Sequence, residues 1–273
     1  MRCVLILAVW LVVAVMAPST VVMAQQDGGW RGNNFYEIPA RWLIDCPTAG
    51  TLPRAHWNIV TRIYPGGGAI AHCDIGLSGR LTMGVSYGGE QVLANDDPDW
   101  NPRLEFSVKF RFVDEGRTVP GISAGFSSQG NGAFNDGMDR YTFKSRGFYA
   151  VVSRSFYFYQ WTMGGHGGLN YSLENDVDQE KDLNFFVGTD VTFRYNLALL
   201  LEWDAGLNDD RSSLPNGTSN EFGGKGRGYL NASIKWLFTE KLEIELLLKD
   251  LFVNRRESDT FTRELRITYV DHF

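Results

Sequence analysis

Cysteine and histidine are scarce in this chain, with 3 Cys and 4 His among 273 residues. None of them falls at the short spacings of a zinc site, and no phosphate-cradling glycine loop is present. No metal and no cofactor is therefore expected. Positive charge is not in excess either, since the formal net charge is −6. Nucleic-acid binding needs a basic face, so nucleic acid is not an expected partner. Beyond its N-terminal stretch the chain also lacks any apolar run of about 18 residues, which excludes a transmembrane helix there.

The N-terminal stretch is of another kind. Arg2 precedes an apolar run from Val4 to Ala17, broken by Pro18-Ser19-Thr20 and followed by Val22-Met23-Ala24. This is the pattern of a secretory signal peptide, with cleavage expected after Ala24. The expected division is residues 1–24 as signal peptide, 25–54 as an N-terminal periplasmic or plug segment, and 55–273 as the folded body. Export makes a disulfide chemically possible. A Cys46–Cys73 bridge and two free thiols both remain open, because alternation around His72 and Asp74 turns Cys73 toward an apolar surround.

What the chain has in plenty is glycine and aromatic residues, 30 Gly and 14% Phe, Trp and Tyr. They punctuate and decorate period-two segments, the pattern of strands with two unlike surroundings. In Leu104–Phe112, Leu104, Phe106, Val108, Phe110 and Phe112 alternate with Glu105, Ser107, Lys109 and Arg111. Leu81–Tyr87, Leu197–Ala205 and Leu242–Lys249 alternate in the same way, and further segments are read at 56–64, 69–77, 119–127, 147–156, 157–171, 183–190, 228–238 and 261–273. The expectation is an all-β fold: a single closed antiparallel transmembrane β-barrel of about twelve strands, an even number, with a short N-terminal segment. Closure follows because hydrocarbon offers backbone amides no partners and an open edge aggregates.

Connections and aromatics agree with this reading. Short turns are expected at the periplasmic end, at 78–80, 114–117, near Ser155, at 194–195 and at 239–241. Longer polar loops, 89–101, 128–140, 175–182, 208–225 and 253–260, are expected to face outward. Trp57, Phe112, Trp236 and Phe238 fit a periplasmic aromatic girdle, and Tyr87, Tyr171 and Trp203 an outer one. The last segment, with Leu265, Ile267, Tyr269 and Phe273 on one face, resembles the assembly signal of bacterial outer-membrane barrels. It makes the outer membrane, its lipid and lipopolysaccharide, and the barrel assembly machinery the expected location and partners.

The polar face carries both signs: Lys109, Arg111, Lys235, Lys249 and Arg266 against Glu105, Glu202, Asp204, Glu243, Glu245 and Glu264. Two readings stay open. These residues either fill the lumen with ion pairs or line a polar conduit, and twelve strands lie between the filled eight and the water-filled sixteen. Catalysis finds little support. His166 and Ser172 lie six residues apart, roughly 20 Å along a strand, too far for a nucleophile and its base. Glu174, Asp176, Asp178, Glu180 and Asp182 form an acidic loop without the glycine and distal Glu of a calcium loop, and read as solvated. No enzymatic activity is expected.

Leu43-Ile-Asp-Cys-Pro-Thr-Ala49 followed by Leu52-Pro53, then Ile75–Gly88, then Asp99-Trp-Asn-Pro102, is similar to the opening of YjbH-type outer-membrane proteins. The resemblance implies a part in producing or exporting exopolysaccharide across the outer membrane, with periplasmic polysaccharide-export proteins as partners, and it carries no catalytic residue. A passive small-solute channel and a structural or adhesive barrel are the alternatives. The segment Gln25–Pro53 does not alternate and holds Trp30, Phe35, Tyr36 and Trp42; it is expected to pack at the periplasmic mouth.

Overall fold

The computed structural model describes residues 40–95, 97–158, 161–193 and 196–273. The expected signal peptide, the aromatics Trp30, Phe35 and Tyr36, and the turn at 194–195 lie outside the described residues. The strands in chain order are β1 (His56–Tyr64), β2 (Gly68–Ser78), β3 (Leu81–Glu90), β4 (Asp99–Trp100), β5 (Glu105–Val113), β6 (Gly121–Ser127), β7 (Asn131–Asn135) and β8 (Arg140–Phe143). They continue with β9 (Gly147–Tyr157), β10 (Trp161–Tyr171), β11 (Asn184–Phe193), β12 (Leu197–Asp204), β13 (Tyr229–Leu237), β14 (Leu242–Lys249) and β15 (Thr262–His272). Among the described residues no helix is long and apolar enough to cross a membrane.

Twelve of these strands form a closed antiparallel barrel. β1 pairs with β2 on one side and with β15 on the other, so the wall has no free edge. The rest follow in chain order, with β3 against β5 and β6 against β9. Each of the twelve segments read from alternation is a wall strand. Three strands were not expected. β4 is a two-residue bridge on the outer end of β3, and β7 and β8 form a separate hairpin within the loop between β6 and β9.

The two faces follow from the pleat. Leu246 is 50% exposed while its neighbour Leu247 is fully buried. Phe106, Leu199, Leu201, Ile234 and Leu246 point outward, toward lipid. Aromatic contacts ring both ends: Trp57 with Tyr269 and Trp236 with Phe238 at the periplasmic end, Tyr87 with Trp100 and Phe185 with Trp203 at the outer end. Leu265, Ile267 and Tyr269 share the lipid side of β15, and Phe273 stands exposed beyond it, its amide donating to the Ala55 carbonyl at 3.0 Å. Cys46 and Cys73 are both free thiols, Cys46 buried and Cys73 exposed on the outer surface of β2.

The lipid face supplies a direct test. Leu246→Arg places a cation on that face and is expected to destabilise the barrel by roughly 2–4 kcal/mol. Leu246→Phe is expected to leave stability nearly unchanged. Urea titration of protein folded into lipid vesicles measures both; equal midpoints would reverse the assigned faces.

Candidate functional site: a lumen closed by two inward segments

Residues 40–53 lie inside the barrel and reach deeper than the expected periplasmic mouth, from Thr51 at the periplasmic turn, bonded to the Gly79 carbonyl, to Asp45 beside Lys249 at the outer end of β14. A bridge between Trp42 and Pro47, with the Leu43 amide donating to the Cys46 carbonyl at 2.9 Å, turns the chain back on itself. The segment packs Leu43, Ile44, Cys46 and Ala49 against Tyr149, Val151, Phe186, Leu200 and Leu247 of the wall. These five wall residues sit at lumenal positions, where apolar side chains would otherwise be out of place. Gly188 makes the close approach possible, because a Cβ there would come within 2.4 Å of Leu43 Cδ1. Gly76 does the same beside the Pro53 carbonyl, at 2.0 Å.

An irregular segment has backbone groups that no ladder satisfies, and buried they are costly. The wall meets them with charged side chains. The Glu202 carboxylate accepts the amides of Ile44 (3.0 Å), Asp45 (2.9 Å) and Cys46 (2.9 Å). Lys109 donates to the carbonyls of Arg41 (2.6 Å), Thr48 (3.2 Å) and Gly50 (3.3 Å). Arg266 donates to the carbonyls of Leu43 (2.6 Å) and Ile44 (2.9 Å). The Asp45 carboxylate lies between Arg62 (2.7 Å) and Lys249 (2.8 Å).

Ser153 Oγ accepts the Ala49 amide at 2.8 Å and lies 2.7 Å from His166 Nδ1, while His166 Nε2 lies 2.7 Å from Asp190. Serine, histidine and aspartate thus stand in line across β9, β10 and β11, with the hydroxyl engaged by the plug. His166 meets Ser153 on the paired strand, a contact that spacing within one segment cannot reveal.

The outer half is closed by the β7–β8 hairpin. Its loop was expected to face outward; instead Tyr141 is fully buried and Arg140 nearly so. The hairpin crosses from β6 and β9 to the opposite wall, where Asn131 accepts from Arg62 at 2.7 Å and the Phe143 ring lies 3.6 Å from Lys249 Nζ. Tyr141 donates to Glu105 at 3.2 Å. The acidic loop after β10 is solvated only in part: Asp176 and Asp182 are exposed, whereas Glu174 is buried. Asp178 and Glu180 are buried against this hairpin, and with Asp209 they bring three carboxylates within 4.8 Å of one another. Arg140 bonds Asp209 (2.5 Å) and Asp178 (3.3 Å), and Lys144 bonds Asp178 (2.7 Å). This arrangement is an ion-pair network already supplied with cations. Between and beside the two inward segments lie cavities of about 20 Å³ each, room for about one water.

The eleven charged residues of the polar face divide by depth, and Glu264, paired with Arg62, belongs to the buried set. Glu105, Lys109, Glu202, Asp204, Glu245, Lys249 and Arg266 are buried in the interior. Asp204 pairs with Arg146, and Glu245 with Arg266. Arg111, Lys235 and Glu243 lie nearer the periplasmic rim: Arg111 bonds Asp114 (2.8 Å) and Lys235 faces Glu243 (3.6 Å). Lys109 has no carboxylate partner among the described residues; plug carbonyls take that place. Buried charged residues that the sequence reading did not place in the lumen include Asp45 on the plug, Arg62 on β1, Arg140 on β8, and Lys144 and Arg146 between β8 and β9.

Glu174 links the hairpin to pH. Its carboxylate accepts the amides of Tyr141 (3.3 Å) and Ser145 (3.2 Å), and burial pushes its pKa up to about 7. A carboxyl raised on folding is favoured in its protonated form, so hairpin docking is strongest in acid and weakens as pH rises through about 7. Hydrogen exchange of the hairpin amides across that window is expected to follow this course, and Glu174→Gln to flatten it. For the periplasmic plug, Glu202→Ala leaves three buried amides unpartnered, at about 1–3 kcal/mol each. Exchange at Ile44, Asp45 and Cys46 should rise by orders of magnitude, while Glu243→Ala at the rim should leave it unchanged.

No family model matches this chain, and no curated protein matches it in sequence. Solved structures with a similar fold include outer-membrane proteins. The KdgM porin is 10% identical, with 80% of this chain and 99% of that one covered and a TM-score of 0.44. The NanC porin gives 10% identity over 80% and 99% of the two chains, with a TM-score of 0.45. Omp33 of Acinetobacter baumannii gives 8% identity over 80% and 97%, with a TM-score of 0.43.

Proposed function

We propose that this protein is a gated outer-membrane conduit for a hydrophilic substrate, held shut at rest by its two inward segments, and that its substrate is an exopolysaccharide chain. The carrying observation is the chemistry of the lumenal wall. Glu202, Lys109 and Arg266 hold the plug through its amides and carbonyls, and Cys46 of the plug forms no disulfide. Such groups exchange one polar partner for another, and the hydroxyls and ring oxygens of a saccharide offer the same donors and acceptors.

The exopolysaccharide assignment rests on the resemblance carried by Leu43–Ala49 and Ile75–Gly88. Those residues are the plug itself and the β2–β3 hairpin beside it. In this reading the protein performs no chemistry on the chain it passes, and periplasmic export proteins supply the force that displaces the plug.

Planar-bilayer recordings test the gate. Intact mature protein is expected to show little steady conductance, and deletion of residues 41–53 to produce a stable increase. Large steady currents from the intact protein would instead favour a passive channel for small solutes. Deleting the gene is expected to abolish surface polysaccharide; unchanged polysaccharide with a working gate would retain the conduit and discard the substrate.

A further inference from the structure

The cations of the outer loops fall into two groups. Arg103, Arg140, Lys144, Arg146, Arg211 and Arg255 each lie within 4 Å of a carboxylate. Lys181, Lys225, Arg227, Arg256 and Arg263 do not, among the described residues; Lys181 is in the loop between β10 and β11, whereas the other four belong to one side of the mouth, above β13, β14 and β15. Their contacts are to neutral groups. Lys225 donates to the carbonyls of Val253 (3.2 Å) and Ser258 (3.3 Å), and Arg227 to that of Phe252 (3.3 Å). Arg256 donates to the carbonyls of Arg211 (2.5 Å) and Asn220 (2.9 Å) and ties the two loops together. Arg263 lies 5.1 Å over the Phe261 ring. Glu257 in the same loop is taken by Arg255, and Glu221 and Asp259 lie beyond ion-pair distance of the four.

Height and direction make this patch specific. Arg263 is opposite Leu248 and shares the lipid side of β15 with Leu265 and Ile267. The Trp203 indole donates to the Arg227 carbonyl at 3.4 Å, and Trp203 packs with Phe185 in the outer aromatic girdle. Lys225, Arg227 and Arg263 are exposed directly beyond that girdle, at the level of lipid head groups. A guanidinium matches a phosphate in shape and charge, and two of them around one anion give charge-assisted bonds.

We propose that this face binds the phosphates of a lipopolysaccharide molecule in the outer leaflet, with Arg227 and Arg263 as the main contacts and Lys225 as a third charge. The acyl chains of the same molecule then lie on the apolar wall of β13–β15 below. The site is on the outside of the barrel and does not depend on what the lumen carries.

Delipidated full-length mature protein in detergent, titrated with bisphosphoryl lipid A and followed by native mass spectrometry, tests it. The expected result is a discrete one-to-one adduct that weakens with added salt. Arg227→Ala with Arg263→Ala should reduce binding tenfold or more, and Lys181→Ala, an exposed cation elsewhere on the mouth, should leave it unchanged. The Lys pair, Arg227→Lys with Arg263→Lys, should retain part of the binding, and heat-modifiable gel mobility checks that each variant is folded. Undiminished binding by the double alanine variant, or equal binding of dephosphorylated lipid A, would overturn the proposal. Inorganic phosphate competing at the affinity of lipid A would overturn it too, by making the site a free-anion site.

Discussion

An irregular segment inside a closed barrel must find a partner for every buried N–H and C=O, and the wall backbone has none to give. The wall strands spend their own amides and carbonyls on their neighbours, so side chains alone can satisfy the plug. This requirement accounts for the lumenal charges that ion pairing leaves unexplained, Lys109 and Glu202. Glu202 stands where three plug amides converge, and Lys109 and Arg266 stand where plug carbonyls do. At these three positions the sign matches the polarity of the backbone faced, whereas Asp204, Glu245 and Glu264 face cations.

Desolvating these groups is costly, and what offsets it is their number of partners together with the apolar patch beside them. Leu43 and Ile44 of the plug, with Phe186, Leu200 and Leu247 of the wall, exclude water from the same region. Polar contacts in that dry setting gain strength, and a missing partner becomes correspondingly expensive. The periplasmic plug is therefore held by a polar ring around an apolar centre. The outer hairpin reverses the emphasis: Arg140, Lys144, Asp178 and Asp209 carry it, with Tyr141 and Phe143 as the apolar contribution.

All twelve wall strands were legible because lipid imposes a strict period of two on one face, and the polar parity of the other face followed. The inward segments were harder to read because nothing imposes a period on them. The loop 128–140 has the Gly, Asn and Asp content of a solvated loop, and only Phe134, Met138 and the Tyr141 and Phe143 that follow hint that part of it is buried. The acidic residues 174–182 looked solvated because their cations, Arg140 and Lys144, come from a distant loop. Two available signals pointed to the plug. In Leu199-Leu200-Leu201 and Leu246-Leu247-Leu248 the alternation fails, leaving one leucine of each triplet facing a lumen that should be polar. A leucine in that position needs an apolar neighbour, and Leu43 and Ile44 are its suppliers.

The seam where the first and last strands meet carries a further consequence. Arg62 and Arg266 are direct cross-strand partners there, with Lys249 on the next strand, and the wall offers Glu264 and Glu245 against these three cations. Asp45 supplies the third negative charge, and it comes from the plug. Like charges facing each other across a ladder oppose its formation. Zipping the cylinder shut around an empty interior would bring the two arginines together one counter-charge short. The plug thus completes the charge balance of the seam: Asp45 supplies from the interior the anion that the two joining strands do not carry.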